Sequence, residues 1–368
     1  MKRILLASTA IVAFAGAAAA EVTFSGDAEI GHNDTDTIDG AKGFYYSFGL
    51  TVAASAELDN GLTAAIGGDI EFDATADGAN TFEGNEIEID DLTVSLSSDT
   101  ASLTFGDTKT AAEAMFSGVT NLERDGFVED GDADDAGDDV AGILRGQMSF
   151  GTAEVGVSAL VEDSSDDLKA LQVAATATFG NFNVAAAIQS GESTAVTGVA
   201  GTTSDITALT VGTTVGGATI QLSTSDDGSG TSTGIGVSYP VGDITVGAFY
   251  VANDKGMEDN TGISIAYASG PLSVDALVHD GNDEDMQLNV SYDMGNGMNL
   301  YAGYRDEGSN QAEITYAGVD YDLGGGATAR LSYVDVTQGR AGVATAKDEF
   351  GPGEDLKEGT TVEVKFAF

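Results

Sequence analysis

The residues of this chain best suited to chemistry are carboxylates. The run Asp130-Gly131-Asp132-Ala133-Asp134-Asp135-Ala136-Gly137-Asp138-Asp139 places six aspartates in ten positions, and Glu113, Glu123, Asp125 and Glu129 precede it. Asp130, Asp132 and Asp134 have the opening spacing of a calcium loop, where alternate positions supply oxygen ligands. Position six, however, is Asp135 instead of Gly, and position twelve is Ala141 instead of a bidentate Glu. The expectation is therefore a solvated acidic loop that could at most attract Ca2+, with no other cofactor. Catalysis has weaker support. His32 and His279 are the two histidines and sit far apart in the chain. No Gly-x-Ser-x-Gly elbow is present, and Gly324-Gly325-Gly326 lacks the Lys-Ser/Thr that a phosphate loop requires. An enzyme is not expected.

The elements that must hold these carboxylates are strands. About twenty short segments carry an apolar residue at every second position, so one face of each can meet lipid while the other meets water. In the last segment Val362, Val364, Phe366 and Phe368 lie on one side and Thr361, Glu363, Lys365 and Ala367 on the other. The same parity sends Phe24 and Ile30 outward, opposite Asp27 and Glu29. It also sends Ile66 and Ile70 outward, opposite Asp69 and Glu71. Short turns such as Gly151-Thr152, Gly242-Asp243 and Asn296-Gly297 alternate with longer acidic loops such as 32–42, 73–85 and 253–260. That alternation predicts an all-β, closed antiparallel transmembrane barrel of 20 strands (range 16–20), with short periplasmic turns and long external loops. Aromatics gather near the segment ends, as two interfacial belts would require. One gap breaks the strand pattern. Between the fifth strand and Ile143 some thirty-five residues intervene, and a loop of that length is functional or disordered. Within it, 110–116 has the pattern of a helical turn with an apolar side, so part of the loop must pack on something.

Composition agrees. Formal charge is -46, which disfavours nucleic acid and attracts cations. Cys is absent, so neither disulfides nor thiolate metal sites are available. Lys2 and Arg3, an apolar stretch over 4–14 and Ala18-Ala19-Ala20 read as a secretory signal over 1–20, leaving 21–368 as a single barrel domain. The rival readings are a secreted acidic, calcium-associated surface protein, which lacks the short fixed repeat expected of a solenoid, and a substrate-specific sugar channel. The latter would need an aromatic slide, for which the lumen parity offers mainly Tyr45, Phe249 and Tyr301.

Four stretches carry a resemblance to a known family: Glu21-Val22-Thr23-Phe24-Ser25-Gly26-Asp27-Ala28; Thr104-Phe105-Gly106-Asp107 followed by Ala111-Ala112-Glu113-Ala114-Met115-Phe116-Ser117-Gly118; Tyr321-Asp322-Leu323-Gly324-Gly325-Gly326-Ala327; and Val364-Lys365-Phe366-Ala367-Phe368. Together they resemble Gram-negative general-diffusion porins of the Rhodobacter (alphaproteobacterial) type. The resemblance implies a homotrimer in the outer membrane, in contact with lipid and lipopolysaccharide, passing small ions and solutes. It also implies sixteen strands and a third external loop, about 109–142, folded into the lumen as a constriction. Phe366 and Phe368 resemble the assembly signal read by the insertion machinery. In the family, acidic residues of the inward loop face a basic cluster on the opposite wall. Here the acidic half is kept, but Glu29 and Glu71 stand where basic residues are common. Arg145, Arg305, Arg330 and Lys365 are the few lumen cations. The expected constriction set is Asp27, Glu29, Asp69, Glu71, Glu113, Glu123, Asp125, Arg145 and Arg330, and the expected consequence is a preference for cations.

Overall fold

The computed structural model describes residues 20–34, 43–74, 86–129, 140–162, 168–191, 205–281, 285–306, 308, 313–337 and 356–368. The first quarter of the wall is β1 (Glu21–Asn33), β2 (Gly43–Glu57), β3 (Thr63–Ala74), β4 (Glu86–Ser97) and β5 (Ala101–Gly106). It continues through β6 (Val140–Phe150), β7 (Ala153–Glu162), β8 (Leu168–Phe179), β9 (Phe182–Gln189) and β10 (Ile206–Val215). The next five strands are β11 (Ala218–Asp226), β12 (Thr231–Val241), β13 (Ile244–Asn253), β14 (Asn260–Ser269) and β15 (Leu272–Asp280). Finally come β16 (Asp285–Gly295), β17 (Met298–Asp306), β18 (Glu313–Gly324), β19 (Ala327–Thr337) and β20 (Gly359–Ala367). Each strand pairs antiparallel with its sequence neighbours, and β20 returns to β1, so the 20-stranded sheet has no free edge. At the seam Gly26 and Phe368 exchange two backbone hydrogen bonds of 2.9 Å, and the Phe48 and Phe368 rings stack at 6.0 Å. Twenty strands at the usual spacing and a tilt of ~40° give a barrel about 40 Å across between backbones, too wide for side chains to fill.

The strand count matches the alternation and exceeds the sixteen implied by the family resemblance. Strand ends run slightly past the expected loop bounds, most clearly in β1, which continues through His32 to Asn33, because His32 pairs with Phe44 in the ladder and meets its ring edge-on at 4.9 Å. The expected loop 32–42 therefore starts later.

Outward parity is apolar around the described circumference. Phe24, Ile30, Ile66, Leu209, Ile263 and Leu331 are all exposed, as a lipid-facing surface requires. Phe150, Phe179, Tyr239, Tyr292 and Phe368 are exposed beside the short turns, and Phe44, Tyr46, Tyr250 and Tyr333 toward the other end. These are the two aromatic belts. The short turns use positive φ where they need it, as at Asn296 (54°) and Gly297 (80°).

Among the described residues, the inward face departs from the expected run of small and polar residues at two groups that pack against a covering segment. Ile206, Ala208, Ala174, Ala187 and Val251 are buried on lumen parity, as are Ile314, Tyr316 and Val334. A water-filled lumen would leave these groups wet, so something covers them. In both places it is a loop.

Lumen aromatics are also placed in a particular way. Tyr45 sits across the ladder from Gly31, Phe249 from Gly262, Tyr301 from Gly318 and Tyr316 from Gly303. An ideal Cβ on any of these glycines would collide with the ring opposite. Each ring thus lies flat on its neighbour's bare backbone.

Candidate functional site

The first covering segment belongs to the chain between β5 and β6. It opens with α1 (Ala111–Met115), a single turn with a capping box. Thr110 Oγ1 accepts from the Glu113 N–H, and the Glu113 carboxylate accepts from the Thr110 N–H at 3.3 Å. Lys109 adds an ion pair with Glu113 at 2.9 Å. Glu113, expected at the constriction, is 12% exposed at its side chain and holds the helix start. The Thr110-x-x-Glu113 spacing was the available signal for that role.

The helix lies on the inner wall because the wall supplies partners for its end. The Ala111 N–H donates to Ser158 Oγ of β7 at 2.7 Å, and the Ala112 N–H to Gln172 Oε1 of β8 at 2.9 Å. Gln172 and Gln189 are ladder partners on β8 and β9 and work as a clasp. Gln172 Nε2 donates to the Val128 carbonyl at 2.7 Å and to Gln189 Oε1 at 2.8 Å, while Gln189 Oε1 accepts from the Val128 N–H at 2.9 Å. The outgoing and returning limbs of the loop are thereby fixed to one pair of side chains. Beneath them Ala111, Ala112, Met115 and Phe127 pack on Ala174, Ala187, Ile206 and Ala208, which explains the first group of apolar lumen residues. Gly156 leaves room for the helix, since a Cβ there would sit 2.7 Å from Met115 Sδ.

Between the limbs the loop runs along the wall. The Val119 N–H donates to Ser223 Oγ of β11 at 2.9 Å, and Val119 and Leu122 pack on Val251 of β13. At the far tip Asn260 of β14 donates to the Asn121 carbonyl at 3.1 Å and also to Glu123. Asn121 Nδ2 and His279 Nδ1 of β15 lie 3.5 Å apart. Arg124 anchors the tip to the loops above: it donates to Asp227 at 3.0 Å, Ser229 at 2.6 Å and the Asp254 carbonyl at 3.1 Å. Burial opposes the charge on Asp227, but hydrogen bonds from Ser229 and Arg124 and from the Gly230 and Ser229 N–H groups prevail and bring its pKa down to about 2. Asp125 goes the other way. Burial, with Glu123 and Glu129 nearby, pushes it up to about 6, against a lowering contribution from a backbone hydrogen bond. The inward loop thus spans the wall from β7 to β15.

The second covering segment is the end of the chain between β19 and β20. Leu356 is 2% exposed and packs on Tyr301, Ile314, Tyr316 and Val334. Lys357 Nζ lies 3.4 Å from Glu29 and 4.3 Å from the centre of the Tyr45 ring, and Asn33 donates to the Glu358 carbonyl at 2.8 Å. Below it, Arg330 of β19 bonds Asp320 in bidentate fashion at 2.8 Å and Glu363 at 3.3 Å. Glu363 also accepts from the Tyr45 hydroxyl at 2.6 Å. Lys365 Nζ is 3.7 Å from Glu363 and 4.0 Å from Glu29.

The remaining sequence-selected residues fall as follows. Asp27, Asp69 and Glu71 lie on the lumen side of β1 and β3, where Asp69 pairs in the ladder with Asp90 and Glu71 with Glu88. Arg145 of β6 donates to the Lys109 carbonyl at 2.9 Å, at the entry to the loop. Arg330 is buried in its carboxylate network, at 4% exposure. Asp130, Asp132 and Asp134, and residues 1–19 of the signal expected over 1–20, lie outside the described residues. Sequence reasoning did not find the Gln172–Gln189 clasp, Arg124, Leu356 or Lys357. Only the apolar residues at lumen positions marked where the two loops sit.

A closed antiparallel barrel with an apolar exterior, a charged interior and a loop laid along its inner wall defines a transmembrane β-barrel channel. The sequence model of the Gram-negative porin family matches residues 7–341. The chain belongs to that family, whose members are outer-membrane diffusion channels. Among solved structures it is similar to a triple mutant of the Rhodopseudomonas blastica porin, at 14% identity and a TM-score of 0.49, covering 94% of this chain and 100% of that one. A second variant of the same porin gives 15% identity and a TM-score of 0.49, with coverage of 94% and 100%. No curated protein matches the chain.

Proposed function

We propose that this porin conducts small hydrophilic solutes with a preference for cations. The observation that carries the reading is the charge balance of the lumen. Most of its named cations are paired with carboxylates: Arg330 with Asp320 and Glu363, Lys357 and Lys365 with Glu29, Arg124 with Asp227, and Arg305 with Asp285, while Arg145 donates to the Lys109 carbonyl. Further inward carboxylates stand around the wall, at Asp27, Asp69 and Glu71 on β1 and β3 and at Asp275 on β15. Carboxylates lining a water-filled path with apolar walls behind them concentrate cations locally. Asp125 and Glu123 of the inward loop add to that field near the constriction, and Glu113 contributes less because Lys109 offsets it.

A cleaved signal over 1–20, assembly as a homotrimer in contact with lipopolysaccharide, and recognition of Phe366 and Phe368 by the insertion machinery are part of the same proposal, supported by family membership. Attraction of Ca2+ to Asp130, Asp132 and Asp134 rests on spacing and charge alone. The deciding experiment is the reversal potential across a planar bilayer in a KCl gradient. A potential of the sign carried by K+ supports the proposal, and one carried by Cl- refutes it.

A further inference from the structure

We propose that Leu356–Glu358 is a second constriction element and that Lys357 sets how strongly the channel prefers cations. The inference rests on the cation-conducting reading above but concerns a different residue and a different arc of the wall. The inward loop after β5 occupies the face of β7 to β15. In a barrel about 40 Å across, that leaves the opposite arc, through β17 to β20 and the seam with β1, to be narrowed by something else. Leu356 does this by filling an apolar depression that would otherwise open to water, and its 2% exposure shows the fit. The Glu358 carbonyl, held by Asn33, fixes the segment on its other side.

Lys357 stands between these two anchors. Its side chain is 30% exposed, so the ammonium is both paired and wet. Arg330, by contrast, is 3% exposed at its side chain and serves its own carboxylates. Lys357 shares Glu29 with Lys365, and the Tyr45 ring lies under its ammonium at 4.3 Å. This loop therefore delivers a positive charge onto the wall at the strand position where the chain carries a glutamate. Removing that charge would uncover Glu29 to the pore and raise cation preference; reversing it would raise the preference further.

The chain has no cysteine, which permits a test without background. In the Lys357→Cys channel, held open in a bilayer, a negatively charged methanethiosulfonate reagent should raise the cation-to-anion permeability ratio about two-fold or more, and a positively charged reagent should restore the wild-type ratio. Lys357→Gln should shift the reversal potential in the cation direction, and Lys357→Arg should not. Leu356→Asn should raise single-channel conductance and current noise by releasing the segment. Heat-dependent gel migration verifies that each barrel has formed. Unchanged reversal potentials in both Lys357→Gln and the reagent-treated Lys357→Cys channel would overturn the inference. The wild-type sign tests the cation reading independently: an anion-selective wild type whose potential still shifts with Lys357→Gln would refute that reading and leave the role of Lys357 standing.

Discussion

Replacing Gln172 with Leu should detach the inward loop while leaving the barrel intact. The side chain is fully buried and makes three hydrogen bonds, accepting from the Ala112 N–H and donating to the Val128 carbonyl and to Gln189. Leucine fills a similar volume but makes none of them. Val128 keeps other partners, because its carbonyl also accepts from Thr110 and its N–H still reaches Gln189. The Ala112 N–H is stranded at a buried helix start, which costs about 1–3 kcal/mol, and the two other lost bonds cost about 0.5–1.5 kcal/mol each. The seat is therefore weakened by roughly 2–6 kcal/mol, and the unseated fraction rises roughly 30-fold to 25,000-fold at 1.36 kcal/mol per decade. None of this touches the ladder, since residue 172 pairs with 189 through the backbone. Single-channel recording should show larger mean conductance and added low-frequency noise, with heat-dependent gel migration unchanged. If Gln172→Leu channels match wild type in conductance and noise, the clasp does not hold the loop.

Asp125 in the tip and Asp227 in the loop above it predict opposite pH behaviour. Asp125, raised to about 6, favours the seated loop when protonated, a contribution complete below its unfolded value near 3.9 and lost as pH rises through about 6. Cation preference should therefore fall between pH 7.5 and 5 with a midpoint near 6, and reversal potentials of Asp125→Asn should lack that step. Asp227, lowered to about 2, stabilises its anchor above about pH 4 and loses that contribution only as pH falls through about 2, so channel noise from the tip should not increase between pH 8 and 5. Arg124→Ala removes the anchor at all pH values and should cost about 2–4 kcal/mol locally, discounted because Asp227 is partly exposed; protease sensitivity within 119–129 would report it. Glu71→Lys on β3 should lower the cation-to-anion permeability ratio several-fold in a salt gradient without altering noise.

Much of the wall was legible because its physics is periodic. Lipid outside and water inside force an apolar residue at every second position, and Phe24, Ile66, Leu331 and Phe366 obey that rule whatever their neighbours do. The inward loop was legible as a gap in the pattern, and its helix as a short apolar turn over 110–116. The manner of its attachment was not. Gln172 and Gln189 look like ordinary polar lumen residues, and only the folded register shows that they face each other across two strands. Loops carry no period of their own, so Leu356 and Lys357 had no signal within their own segment. Their trace lay in the strands beneath: Ile314 and Val334 are apolar where water was expected, and a residue that breaks the polar rule of a lumen identifies ground that something else covers. The acidic motif at Asp130 misdirects in the opposite way, since its spacing draws attention while the described constriction is built mainly from amides, hydroxyls and small apolar groups.

The four rings resting on bare backbone separate two properties of the channel that could have been tied together. Tyr45, Phe249, Tyr301 and Tyr316 are bulky, yet each occupies the thickness that a side chain on the opposing strand would have taken. One methyl group added at position 31, 303 or 318 would drive a ring against the Leu356–Lys357 segment that covers it, and one at 262 would drive Phe249 against the inward loop, without changing any charge. The seating of both loops can therefore be adjusted at four glycines and the ion preference at carboxylates and lysines elsewhere, so that loop position and charge selection are free to drift apart under selection.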